Sequence, residues 1–179
     1  MKIGVLAVQG AFIEHEHIIE KIGHEVVEIR QRKDLDGIDG IILPGGESTV
    51  QGQLIRKLDM LATIKSLITD GLPTLATCAG LILLAGHIDN DDSIHIGTLP
   101  VTVKRNAYGR QLGSFVRTAP MKGFDKFPMT FIRAPYISSI KDNVDVLAAV
   151  DDRTVAVQYN NQIGLAFHPE LSGDTRIHE

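Results

Sequence analysis

The stretch LPTLATCAGLILL, residues 72–84, decides how this chain is read. Residues 73–76 form a short run that reads as a buried strand, and residues 81–85 read as the first turns of a helix. Between them Thr77, Cys78, Ala79 and Gly80 are all small. A strand that turns sharply into a helix needs small residues there, because the two backbones nearly touch. Such a turn lifts its central side chain above the sheet and sets it near the helix N-terminus. Free N–H groups and the helix dipole favour an anion at that place, and the same groups can hold an oxyanion. Cys78, the only cysteine, therefore has two readings. It is either a nucleophile on an elbow or a small buried apolar residue.

Working outward, residues 3–8 form an apolar run that ends at Gln9-Gly10, a buried strand followed by a turn. Residues 12–22 carry Ile18, Ile19 and Ile22 on one face and stop at Gly23, which predicts a helix. Residues 26–29 and 41–43 read as strands, the second running into Pro44-Gly45-Gly46-Glu47-Ser48-Thr49. Helical spacing follows over 54–68, with a break near Asp59. This order is that of a doubly wound, mostly parallel α/β sheet. Ligands in such sheets bind beyond the carboxyl ends of the strands. Gln9-Gly10, the 44–49 turn and the 77–80 turn should therefore converge on one crevice.

The second half changes texture. Short strands are expected over 98–103, 114–118, 129–132, 144–150, 154–159 and 162–167, with a turn at 106–110 and a hairpin turn at Asn160-Asn161. They add antiparallel strands to the parallel core. The last strand ends at His168-Pro169-Glu170, where Pro169 cannot continue the ladder.

The chain has 179 residues, 44% of them hydrophobic and 22% charged, with a net charge of -4. One domain spanning 1–179 is expected. The charge gives no pull toward nucleic acid or an anionic membrane, so neither is expected as a partner. One cysteine excludes an internal disulfide and a thiolate-rich metal site. No apolar run reaches membrane-spanning length, and the start MKIGVLAVQG lacks the pattern of a signal peptide, so a cytoplasmic location is expected.

A thiol nucleophile needs a base, and the base needs an orienting acceptor. Of the seven histidines, His15 and His17 lie among glutamates on the first helix and read as solvated, as does His24 beside it. His87 and His95 flank an acidic loop and read as exposed, and His178, near the chain end, as mobile. His168 stands apart, at a strand end with a carboxylate two residues on. A capped turn leaving the sheet is the structural alternative for it. No metal is expected: His15 and His17 fall on different helix faces, and the spacing of His87, Asp89, Asp91 and Asp92 matches no calcium loop. Gly45-Gly46 is not followed by the lysine of a P-loop. Its better use is close approach to a ligand, or a peptide N–H turned toward an oxyanion. Arg105 and Arg133 lie near strand ends, where an arginine is either a surface charge or a carboxylate ligand.

Taken together, these residues resemble the class I, or triad, glutamine amidotransferases, and within them the glutaminase subunits of pyridoxal 5'-phosphate synthase. The matching segments are GVLAVQGAFIEH (4–15), LPGGEST (43–49), TCAG (77–80), NAYGRQ (106–111), FIRAP (131–135) and FHPEL (167–171). They stand in family order and cover nearly the whole chain. TCAG and HPE alone would point only to amidotransferases in general, whereas PGGEST with NAYGRQ and FIRAP is specific to the subfamily.

The resemblance implies a flavodoxin-like fold and hydrolysis of L-glutamine to glutamate and ammonia, without a cofactor. It implies a synthase subunit as partner, which uses the ammonia with a pentose phosphate and a triose phosphate to build the vitamin. By resemblance Cys78 is the nucleophile, His168 the base and Glu170 its orienter. Gly46, Glu47, Ser48, Arg105, Ile132 and Arg133 are implied to bind glutamine, and Gly46 and Ala79 to hold the oxyanion. Gln9-Gly10, on the same rim, is a candidate contact with the synthase. Two positions depart from the family: Ala76 stands where glycine is usual, and the family continues from 179 into a terminal helix. The rival readings are a glutaminase subunit for another synthase, and a thiol sensor without catalysis on the same fold.

Overall fold

The computed structural model describes residues 1–106 and 113–179. Five strands form the parallel part of the main sheet: β1 (Lys2–Leu6), β2 (Glu25–Ile29), β3 (Gly40–Leu43), β4 (Thr74–Thr77) and, from the far end of the chain, β12 (Gln162–Leu165). Their order is β2-β1-β3-β4-β12, and every neighbouring pair is parallel. This is the flavodoxin-like arrangement, with β12 as the fifth strand. It bears out the expected fold class.

Helices cover both faces, because both faces of these strands are apolar. On one face α1 (Phe12–Lys21) sets Ile19 against Ile3, Val5 and Ile42. On the other, α2 (Ser48–Lys57), α3 (Leu61–Thr69) and α4 (Ala79–Leu84) bring Ile55, Ile64 and Leu81 into a core with Leu6, Ile41, Leu43 and Ala76. The expected break between α2 and α3 is real. Asp59 adopts φ 53 there, a left-handed conformation that ends a helix.

Beyond β12 the sheet turns antiparallel through β11 (Arg153–Tyr159), β9 (Tyr136–Ile140) and β6 (Leu99–Lys104), while β10 (Asp145–Val150) pairs with β11 from the side. Tyr159 pairs with Gln162 and Asn160 has φ 51, so the expected Asn160-Asn161 hairpin is present. β7 (Ser114–Met121) and β8 (Phe124–Ile132) form a separate antiparallel ribbon. Phe127 and Phe131 of β8 are fully buried against Phe167 at the end of β12, which holds the ribbon over the carboxyl ends of the parallel strands.

Two expectations need correction. α4 is a short helix ending at Leu84, and Ala85 begins a further strand, β5 (Ala85–Ile88), which pairs parallel with β6. The run AGLILLA is buried throughout, so apolar character alone did not mark the change from helix to strand. β9 carries Ser138 and Ser139 and was not expected as a strand at all. Most of the 106–110 turn, and NAYGRQ after Asn106, lie outside the described residues.

Small residues at the elbow have a steric cause. A Cβ on Gly80 would sit 2.0 Å from the carbonyl oxygen of Leu43, so α4 lies directly on the end of β3. Ala76 is buried and pairs across the sheet with Gly164 and Leu43. Gly80→Ala should lower stability by about 1–3 kcal/mol, because a backbone oxygen cannot rotate out of the way. A chemical denaturation midpoint equal to that of the natural chain would contradict the close contact.

Candidate active site

Cys78 occupies φ 49, ψ -101, a region that non-glycine residues rarely adopt. Its N–H donates to the Leu165 carbonyl at 2.8 Å, and the chain beyond it is committed to α4. The side chain therefore stands above the strand ends. It lines a cleft of about 430 Å³ together with Gly46, Glu47, Ser48, Ala79, Arg105, Ile132, Arg133 and His168. The structure thus brings together the residues of three strand-end turns, as the sequence order led us to expect. Cys78 Sγ also lies 3.9 Å from the carbonyl oxygen of Ile132.

His168 leaves β12 with its N–H bonded to the Thr130 carbonyl, so the β7–β8 ribbon fixes its backbone. Its ring lies against Gly45, where a Cβ would come within 2.3 Å of Cε1. Pro169 and Glu170 turn into a short 3₁₀ segment, Pro169–Leu171, and this bends the carboxylate back. His168 Nδ1 meets Glu170 Oε1 at 2.6 Å, both side chains nearly or fully buried. Burial works against a charged imidazole here. The hydrogen bonds to Cys78 and Glu170, and the negative charges of both, outweigh it and raise His168 well above the ordinary histidine value. Its proton is thus held at neutral pH by partners on both sides.

The turns after β1 and β3 are locked to each other. Ala11 N–H donates to the Gly45 carbonyl at 3.0 Å, and Glu47 N–H donates to Gln9 Oε1 at 2.9 Å. The buried Gln51 side chain donates to the carbonyls of both Gln9 and Pro44. A Cβ on Gly46, which has φ +157, would come within 2.5 Å of Gln9 Oε1. Only glycine fits that approach. The Glu47 carboxylate caps α2 by accepting from Val50 N–H at 2.8 Å, so toward the cleft this residue offers its backbone more than its charge.

The two arginines differ. Arg105 pairs with Asp91 at 3.2 Å through Nη1, while its Nε and Nη2 are buried with no hydrogen-bond partner among the described residues. A guanidinium with two unsatisfied N–H positions beside a cleft is chemically suited to a carboxylate. Arg133 is exposed, with φ 43, and its N–H donates to the Gly113 carbonyl.

Several histidines are not where the sequence placed them. His15 is fully buried, not solvated. Its Nε2 lies 3.3 Å from Thr77 Oγ1 and 3.4 Å from Glu170 Oε2, and its Nδ1 lies 2.9 Å from His178 Nε2. His178 is accordingly tied into the structure rather than mobile. The missed signal was periodicity: His15 is three and four residues before Ile18 and Ile19, so it shares their buried face. Of the glutamates around it, Glu14 and Glu20 are exposed and Glu16 is half-buried at the margin of that face. His95 is also buried, against Gly52 of α2, with Arg56 Nη1 3.1 Å from its Nδ1. His87 is exposed, as expected.

Comparison with known proteins shows the family to which the chain belongs. Residues 5–179 match the SNO glutamine amidotransferase family. The chain is 58% identical over 180 residues to "Pyridoxal 5'-phosphate synthase subunit PdxT" of Desulfitobacterium hafniense (strain DSM 10664 / DCB-2), covering 100% of this chain and 90% of that protein. It is 50% identical over 183 residues to the subunit of the same name from Streptococcus pneumoniae (strain CGSP14), covering 100% and 94%. A crystal structure described as a glutamine amidotransferase superposes with a TM-score of 0.94 at 38% identity, covering 98% of this chain and 94% of the other. PurLQS from Thermotoga maritima shares the fold, with a TM-score of 0.72 at 19% identity over 98% and 91% of the two chains. On the match across residues 5–179 and these identities, the chain belongs to the SNO glutamine amidotransferase family.

Proposed function

We propose that this chain hydrolyses L-glutamine to glutamate and ammonia through a thioester on Cys78, and supplies the ammonia to the synthase subunit of a pyridoxal 5'-phosphate synthase. The observation that carries the chemistry is the 2.6 Å contact between His168 Nδ1 and Glu170 Oε1 beside a cysteine at a strained elbow. Family membership and the relatives' names support the pathway.

The Cys78 sulfur attacks the side-chain amide carbon of glutamine, and the carbonyl oxygen takes the negative charge. Ala79 opens α4 and Gly46 lines the cleft opposite it, and the backbone N–H groups of these two residues are assigned to the oxyanion. His168 gives its proton to the departing amine, so that ammonia leaves and the thioester remains. The imidazole, now neutral, takes a proton from water as the water attacks the thioester. Glutamate leaves, and sulfur and imidazole return to their starting state. Glu170 holds the ring in the tautomer and orientation that both steps need. Arg105, with Arg133 at the cleft mouth, is assigned to the α-carboxylate and neighbouring polar groups of glutamine, alongside Glu47, Ser48 and Ile132.

The deciding experiment is glutamate release by the purified chain, alone and with the synthase subunit. Cys78→Ala should abolish release while leaving the fold and partner binding in place, and Cys78→Ser should be nearly as inactive, because a hydroxyl is far less acidic than a thiol. His168→Ala should lose almost as much as Cys78→Ala, and Glu170→Ala less. Combined variants should lose little beyond the worst single one, since the three act as a unit. Substantial turnover by Cys78→Ala, or fully multiplying losses, would sink the assignment.

Arg105→Ala removes a charge-assisted contact of about 1.5–3 kcal/mol. The glutamine concentration needed for half-maximal rate should rise roughly ten- to a hundred-fold. An unchanged requirement would return Arg105 to a role in pairing with Asp91.

Partner docking is proposed as the switch. Glu47 N–H is occupied by Gln9, and the Gly45 carbonyl by Ala11, so the peptides at Gly46 are set from the β1 rim. Contact of the synthase with that rim would reorient them and complete the oxyanion site. A missing donor of this kind lowers the rate about a hundred- to a thousand-fold. Glutamate release should rise by that order when the synthase subunit is titrated in, and equal rates with and without it would refute the switch.

A further inference from the structure

We propose that His15 is a positioning residue for this site: its Nε2–H, delivered from α1, faces the second carboxylate oxygen of Glu170 and so fixes the group that orients His168. The inference rests on the glutaminase reading and deepens it.

Glu170 has two oxygens and a fully buried side chain. Oε1 is used by His168. Oε2 is buried and makes no hydrogen bond of normal geometry among the described residues. The polar group facing it is His15 Nε2, at 3.4 Å. A carboxylate held at one oxygen only is free to pivot about that bond, and a buried oxygen without a donor is costly. His15 Nε2 is the group placed to meet both needs.

The proton placement follows from the neighbours. Burial, and after it the neighbouring His178 and His168 imidazoles, keep the His15 imidazole well below the ordinary histidine value, so it is neutral and carries one N–H. An ionised carboxylate only accepts, so the N–H must be on Nε2, shared between Glu170 Oε2 and Thr77 Oγ1. Nδ1 is then a bare acceptor, and His178 Nε2 at 2.9 Å must be its donor. Burial keeps His178 neutral too, at about 4, and its remaining Nδ1 is buried without a partner among the described residues. The protons of His178 and His15 thereby point toward Glu170 from one side, and His168 donates its Nδ1–H to the other carboxylate oxygen from the opposite side. The line of groups ends at Cys78.

The test separates this role from mere packing. A glutamine side chain places its Nε2 as many bonds from Cβ as histidine does. His15→Gln therefore keeps the donor toward Glu170. His15→Leu and His15→Asn do not, since leucine has no donor and asparagine reaches only the Nδ1 position. Glutamate release is measured with saturating synthase subunit. His15→Leu and His15→Asn should lower kcat on the order of ten- to a hundredfold, as for outer hydrogen bonds that fix a working imidazole elsewhere. KM for glutamine should be unchanged, and His15→Gln should recover most of the loss. In a Glu170→Ala background, His15→Leu should have no further effect on kcat. A readout without turnover is the downfield proton resonance of the short His168–Glu170 bond. It should persist in His15→Gln and be shifted or lost to exchange in His15→Leu and His15→Asn. Losses that multiply with Glu170→Ala, a glutamine variant no better than leucine, or a resonance indifferent to all three variants would overturn the proposal. Absence of glutamate release from the natural chain would overturn the functional reading instead, and the resonance would still decide the role of His15.

Discussion

The site depends on one backbone constraint, the close approach of α4 to the end of β3. The carbonyl of Leu43 fills the space that a side chain on Gly80 would take, so the chain must reverse within the residues just before it. Cys78 is where that reversal falls. Its N–H is already used by Leu165 and its φ is 49. A residue in that region carries strain of order 1–3 kcal/mol, which the surrounding structure must outweigh. Here it is outweighed by a buried core on both sides of the turn, with Ala76, Ala79 and Leu81 at or near full burial. The strain is what separates the sulfur from the strand and presents it to the cleft.

Around that fixed point the polar groups form a line rather than a cluster. Buried polar side chains are stable only when each proton has an acceptor, and a partly satisfied line is worse than an apolar core. The line here runs through α1, β4, the turn after β12 and the 3₁₀ segment at Pro169–Leu171, so it joins elements remote in sequence. His15 and His178 are 163 residues apart yet share a hydrogen bond. Packing of α1 against this turn is thus a chemical matter as well as a hydrophobic one.

These two features were not equally legible in sequence. The elbow was readable because its signal is local: small residues between two apolar runs, with a cysteine among them. The parallel core was readable for the same reason, with β1, β3 and β4 each running into a glycine-bearing turn. His168 and Glu170 could be paired because only one residue separates them. The burial of His15 was hidden by composition, since three glutamates on α1 masked a histidine that keeps the period of Ile18 and Ile19. His178 could not have been placed at all, because its partner is set by tertiary packing alone. The boundary at Ala85 was lost because a buried helix and a buried strand have the same apolar signature. Strand β9 was lost because three of its five residues are exposed and two of those are serines.

The two halves of the cleft consequently differ in how far they can move. The cysteine side is held by the close approach of Gly80 to the Leu43 carbonyl, where an added Cβ would lie 2.0 Å from a backbone oxygen that no side-chain rotation moves. The glycine side is held by hydrogen bonds from the β1 turn, Gln9 to Glu47 and Ala11 to Gly45. Each is worth about 0.5–1.5 kcal/mol net. Even together they are small beside the interaction energy available at a protein interface of ordinary size. A contact on the β1 rim is therefore able to rearrange the peptides at Gly46 without disturbing the nucleophile. Gly46 suits this because φ +157 is open to glycine and closed to a side chain against Gln9. The fold thus keeps the sulfur, imidazole and carboxylate rigid, and confines what can be adjusted to a glycine-bearing strip that faces outward.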